Sequence, residues 1–170
     1  MDDLQLFKQM DFIRMRTIAA LDNTTEEMAD LVPPGFKNSI RWNLGHIYLS
    51  HENIIHSFVG EKGNIPEGFK ELFGFNTSPD QWETEAPSLS QLRELLSGQP
   101  TRLRETFFGR LSEKGEKPFQ LTKDIAFETL AEVVSFANWH EGLHQGAITT
   151  LKRAQGIDNL WEPVKNRVGG

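Results

Sequence analysis

Cysteine is absent from all 170 residues, which removes disulfides, thiolate metal ligands and a cysteine nucleophile together. Any metal this chain holds is bound through nitrogen and oxygen. Long apolar runs are missing as well. No stretch of about 18 apolar residues is present to span a bilayer, and Met1-Asp2-Asp3-Leu4 carries neither a basic nor an apolar leader segment. The expectation is a cytoplasmic protein with no membrane partner. Basic clusters are lacking too: 18 lysines and arginines are scattered among 24 acidic residues for a net charge of -6, which argues against nucleic acid as a partner. There is no glycine-rich phosphate loop, internal repeat or low-complexity run. What remains is an ordinary globular composition, 38% hydrophobic and 25% charged, long enough to be read as a single domain over residues 1–170.

Hydrophobic periodicity predicts an all-α chain. Leu4, Phe7, Met10, Ile13, Ile18 and Leu21 recur at close to a 3.6 period and define a first helix over 2–21. Thr24 with Glu27 reads as a capping box for a short helical turn that Pro33-Pro34-Gly35 closes. Asn38 and Ser39 are good N-caps for a second helix over 40–59. Residues 60–87 form a long crossover with a short helix near 67–72, and Phe69, Phe73, Phe75 and Trp82 are expected to pin it over the core and beside a pocket. Ser88 with Gln91 caps a third helix carrying Leu89, Leu92, Leu96, Leu103 and Phe107. Pro100 is expected to bend or break it near Gly98. Residues 112–124 read as a surface connection. A fourth helix runs from about Phe127 to Ala154, with Leu130, Val133, Phe136, Ala137, His140, His144, Ala147 and Leu151 on one stripe and Gly156 as its stop. Leu160 and Trp161 are expected to dock the tail.

The chemistry lies in the histidines. His140 and His144, four apart on the fourth helix, project from one face about 40° apart. That is metal-ligand spacing, and two imidazoles on an apolar stripe need partners that a metal supplies. Catalytic centres of the zinc type take three protein ligands and keep an open position, so a third is sought on a neighbouring helix. The second helix offers His46, His51 and His56, and five residues rotate a side chain by about 140°, so one of them at most faces a given site. His46 is the candidate, with Trp42, Leu49 and Asn53 near its azimuth and Gly45 giving room beside it. His51 and His56 are expected on other faces as surface or hydrogen-bonded residues.

Read literally, His140-Glu141-Gly142-Leu143-His144 is also the H-E-x-x-H pattern of zinc proteases, with Glu141 as general base. Neither the extended motif nor a clear third ligand follows it; only Glu162 is on offer, in an irregular tail. Glu141 also lies about 100° round the helix from His140.

Trp42-Asn43-Leu44-Gly45-His46-Ile47 on the second helix, with His140-Glu141-Gly142-Leu143-His144-Gln145-Gly146-Ala147-Ile148 on the fourth, resembles the DinB/YfiT-like metalloenzymes. The resemblance covers nearly the whole chain as helix order and is specific at these two motifs. It implies a four-helix bundle with a long crossover between helices two and three, and a divalent metal, zinc or nickel, held by His46, His140 and His144. The family usually has Gly-Gln-Ile after the last ligand, and Ala147 departs from it. The resemblance also implies a transferase that attaches a low-molecular-weight thiol to an electrophile, a role that a cysteine-free chain fits because its thiol comes from a cosubstrate. Homodimers are frequent in the family, and helices one and three are where an apolar interface is expected. A non-catalytic metal-binding stress-response protein is the alternative, with the H-E-x-x-H metallohydrolase behind it.

Overall fold

The computed structural model describes residues 2–160, and its fold is that of an all-α bundle with one small hairpin. Four long helices form it: α1 (Asp3–Asp22), α3 (Ile40–Phe58), α5 (Leu89–Phe107) and α6 (Leu130–Ala154). Two short helices, α2 (Glu26–Asp30) and α4 (Phe69–Phe73), and a 3-10 turn at Pro79–Gln81 sit in the connections. No helix among the described residues is long and apolar enough to cross a membrane. Trp161, Glu162 and the rest of the tail lie outside the described residues, while Leu160 is buried.

The helix starts follow from local hydrogen bonding. Asp2 caps α1 in a reciprocal box with Gln5, Ser39 accepts from the Trp42 amide, and Ser88 and Gln91 form the expected box on α5. Each of these side chains satisfies an amide that has no partner inside the helix. The short turn starts one residue later than the sequence suggests: Thr25 caps α2, because the Thr24 hydroxyl donates instead to the Ala20 carbonyl. At the far end of α6, Gly156 adopts φ of +75°, where a side chain would be strained.

Two expectations fail. Residues 114–120 and 126–129 pair as antiparallel strands, β1 (Lys114–Gln120) and β2 (Ala126–Thr129), where a plain surface connection was expected. The fourth helix consequently starts at Leu130, capped by Thr129 and Glu132, rather than near Phe127. A two-stranded ribbon is all edge, so Pro118 costs it little. What secures it is packing: Phe119 and Phe127 stack on each other and both lie against Phe136 of α6. Pro100, second, does not break α5, which runs on through it. A proline there leaves the Leu96 carbonyl without its helical donor, and Arg14 of α1 supplies a replacement, Nη1 lying 2.6 Å from that oxygen.

The interior is divided into two apolar clusters by a polar layer. One cluster joins Ile40, Leu44, Ile47 and Tyr48 of α3 to Phe69 and Phe73 of the crossover and Ile148 of α6. The other joins Phe7 and Met10 of α1 to Ile55, Leu103, Phe107 and Val133. Between them lie Arg14, Thr17, His51, Glu52, Gln99 and Glu141, all at most 3% exposed and drawn from all four long helices. Arg14 grips Glu141 with two parallel bonds of 2.8 and 3.0 Å, and Thr17 adds a third of 2.6 Å. Gln99 accepts from Arg14 and donates to Glu52 at 2.8 Å. Glu52 also receives Arg102 at 2.7 Å and the Asn64 amide, which fastens the start of the crossover. A buried carboxylate is tolerable only when compensated in this way.

Candidate metal centre

α3 and α6 cross so that His46 meets the pair on α6. One nitrogen from each of His46, His140 and His144 lies within 4.8 Å of the others, and no carboxylate joins the group among the described residues. The Nε2 atoms of His140 and His144 are 3.3 Å apart. Zinc–nitrogen bonds of about 2.0–2.1 Å at a tetrahedral angle put adjacent nitrogens about 3.3–3.4 Å apart, so this edge fits a metal ion as it stands.

Proton positions follow from the supporting bonds. The Asn43 amide nitrogen donates to the Ser39 carbonyl, which turns its oxygen toward His144, where Nδ1 lies at 2.7 Å. His144 therefore carries its proton on Nδ1 and presents the Nε2 lone pair. His46 does the same through Nδ1–H to the Phe73 carbonyl, at 2.7 Å. Outer partners of this kind fix ring orientation and raise ligand basicity. Among the described residues the buried Nδ1 of His140 has no partner, and its Nε2 meets that of His144. Two Nε2 lone pairs 3.3 Å apart repel unless a proton or a cation lies between them.

Burial keeps the rings neutral. Desolvation, reinforced by the neighbouring imidazoles, lowers His140 to about 4 and His144 to about 3, and desolvation also lowers His46. Three neutral donors leave a bound cation its full charge.

Close packing holds His46 in place. Trp42 stacks on it at 4.5 Å between centroids, and Phe73 presses so tightly that a Cβ on Gly45 would meet its ring at 2.5 Å. The room at Gly45 is thus used by Phe73, whose carbonyl orients His46. Asn43 and Phe73 are site residues that sequence reasoning missed. The signal for Asn43 was its place three residues before His46, within the same motif.

His51 and His56 do lie on other faces. His51 is fully buried in the polar layer, Nδ1 at 3.2 Å from the Ile47 carbonyl and Nε2 at 3.5 Å from Glu141. Burial lowers it to about 4, against Glu141 and with Arg14. His56 sits by Glu52 under the Phe107 ring. Glu141 faces away from the triad, both oxygens engaged by Arg14 and Thr17. Burial opposes its charge, but Arg14, His51 and Thr17 outweigh that and lower its pKa. A carboxylate so held is not placed as the general base of a metallohydrolase. Among the described residues neither His51 nor Glu141 joins the triad as a fourth ligand.

The centre opens into two clefts. A larger one of about 1220 Å³ is lined by Trp42, Phe75, Asn76, Leu143 and Ala147 among others, so the departure at Ala147 does fall on the cleft wall. A smaller one of about 530 Å³ lies on the other side, and His46, His140 and Phe75 border both. Of the four crossover aromatics, only Phe75 fully enters the solvent, at 87% exposed, and lines the clefts. Phe69 and Phe73 are core residues, and Trp82 spends its indole N–H on the Leu72 carbonyl. Phe136, which the sequence puts on the same stripe as His140 and His144, lines the smaller cleft beside His140.

A helical bundle bringing three neutral histidines to the base of an open cleft is a protein that could hold a metal ion with room for a further ligand. The profile of the DinB superfamily matches residues 9–148, a span that includes all three histidines, and the chain belongs to that superfamily. No curated protein matches the sequence significantly.

Proposed function

We propose that His46, His140 and His144 bind a divalent metal, zinc or nickel, and that the protein is a metal-dependent transferase joining a low-molecular-weight thiol to an electrophile. The observation that carries this is a three-histidine group that no further histidine or carboxylate joins among the described residues, opening into two clefts. A divalent ion there supplies Lewis acidity that lowers the pKa of a small thiol at neutral pH. The chain's own part is positional. Asn43 and the Phe73 carbonyl aim two imidazoles, Trp42 braces one of them, and the cleft walls hold thiol and electrophile in reach of each other. In the reaction the thiol sulfur supplies the electron pair of the new S–C bond, the leaving group departs with the pair of the broken bond, and the thiol proton goes to solvent. With no cysteine in the chain, the sulfur is the cosubstrate's. A cytoplasmic location, where small thiols stay reduced, belongs to the same proposal.

The test has two arms. Elemental analysis of protein purified without a histidine tag is expected to give one divalent ion per chain, lost in His140→Ala. Metal-loaded protein is then assayed with a panel of small thiols and 1-chloro-2,4-dinitrobenzene, reading conjugation by absorbance. Turnover that needs the metal and disappears in His46→Ala supports the proposal. Bound metal without turnover on any thiol would move the reading to a metal-binding stress protein, and peptide hydrolysis without thiol would contradict the orientation of Glu141.

A further inference from the structure

Helix hydroxyls in this bundle turn back to the carbonyl four residues earlier, as Thr106, Thr149 and Thr150 do at 2.8, 2.9 and 2.9 Å. Ser50 of α3 does not follow them. Its Oγ lies 3.2 Å from Nε2 of His46, the residue four before it, and the side chain is buried at 8% exposure. Because Nδ1–H of His46 is spent on the Phe73 carbonyl, Nε2 is the bare nitrogen, and the Ser50 hydroxyl donates into the lone pair that a cation would use. The spacing is close to the 3.3 Å that separates the Nε2 atoms of His140 and His144. Ser50 also borders the smaller cleft together with His46 and His140, so this hydroxyl stands where the centre meets open space.

We infer that Ser50 is a positioning residue for the incoming ligand: with an ion on the three histidines, its hydroxyl donates to the anion that takes the open position, which is the thiol sulfur if the transferase reading above, on which this rests, holds. A cation on His46 Nε2 removes the acceptor that the hydroxyl uses here, and a buried donor needs another. Two destinations are in reach, the His46 carbonyl and a group arriving through the smaller cleft. An anion is the stronger acceptor of the two, because hydrogen bonds to charged groups are about twice as strong as those between neutral ones. Such a donor favours the deprotonated form of the group it faces, so Ser50 acts on the sulfur in the same direction as the ion's charge. Four residues apart on one helix face, ligand and donor are held in fixed relation by α3 itself.

Cobalt(II)-loaded protein, wild type against Ser50→Ala, tests this without turnover. It is titrated with azide, with 2-mercaptoethanol and with neutral imidazole, whose one lone pair is used up on the metal and leaves nothing for a hydroxyl to bond. Near-ultraviolet charge-transfer bands report azide and thiolate, visible cobalt bands report imidazole, and cobalt content is measured in each sample. The chain has no cysteine, so a thiolate band comes only from the added thiol. Azide and thiol are expected to bind about tenfold less tightly in Ser50→Ala, with imidazole affinity and cobalt content unchanged. An azide affinity equal to that of the wild type overturns the inference, and so does an equal loss for imidazole, which a merely structural role would give, or a loss of cobalt, which would make Ser50 a ligand. A Ser50-dependent azide affinity in protein that binds no thiol would sink the transferase reading and leave the anion donor standing. Thiol binding and conjugation that Ser50→Ala leaves untouched would do the reverse.

Discussion

Helix α6 places two consecutive residues, His140 and Glu141, in opposite environments. Glu141 points into the polar layer, where Arg14 and Thr17 occupy both of its oxygens. His140 points to the cleft, where one nitrogen has no partner among the described residues and the other meets His144 Nε2 at 3.3 Å. The first region is a set of donors and acceptors that answer one another, with His51 Nε2, 3.5 Å from Glu141, as the nitrogen in it that lacks a hydrogen bond. The second is aimed at one point and incomplete. Polar burial by itself therefore does not mark a binding site. Convergence of several ring nitrogens on one point does.

The comparison makes distinct demands on variants of the two regions. Arg14→Ala should have the largest effect, because it strands the Glu141 carboxylate in the core and frees the Leu96 carbonyl. A loss of about 3–5 kcal/mol is expected, read by urea unfolding. A loss under about 1 kcal/mol would mean that the layer is not paired as described.

Acid should act next, through His51. In the fold this ring stays neutral down to about pH 4, while its ordinary value is 6.5. Between those limits the unfolded chain holds a proton that the folded one refuses, so unfolding becomes easier as pH falls. The contribution is fully present above 6.5 and lost on the way to about 4, roughly 3 kcal/mol in all. Metal-free protein, wild type against His51→Gln, unfolded at pH 7 and pH 4.5, would show it as a smaller acid loss in the variant.

Gly45→Ala tests whether the cleft depends on the core behind it. The added methyl meets the Phe73 ring, with an expected cost of about 1–3 kcal/mol and weaker metal retention, because the Phe73 carbonyl that orients His46 shifts with the ring. Asn43→Ala should be the mildest for stability and the most specific for the centre. Without its oxygen His144 is free to change tautomer, and metal affinity measured by chelator competition should fall about 10- to 100-fold.

The sequence revealed the open region better than the closed one. His140 and His144 follow from helical spacing alone, and His46 from its azimuth together with the motif around it. Arg14 and Glu141 are 127 residues apart, and nothing in either helix's pattern tells which charge it will meet inside. Phe136 lies on the stripe with the core residues, one turn before His140, and only the crossing of α3 with α6 leaves it facing a cleft. The hairpin was hidden because its first strand reads Lys-Gly-Glu-Lys-Pro-Phe-Gln, poor in β-formers. Its support comes from Phe136, sixteen residues beyond Gln120, and from the close seat of Gly115 on the Phe58 carbonyl.

Pro100 and Arg14 stand on different helices, yet their energetic contributions are tied. The guanidinium fills the place of the amide that the proline lacks, so each residue sets the value of the other. In a Pro100→Ala background the restored amide takes the Leu96 carbonyl, and losing Arg14 should then cost measurably less than it does in the wild type. Such non-additivity across a helix pair means that the cost of a substitution at either position depends on which residue stands at the other.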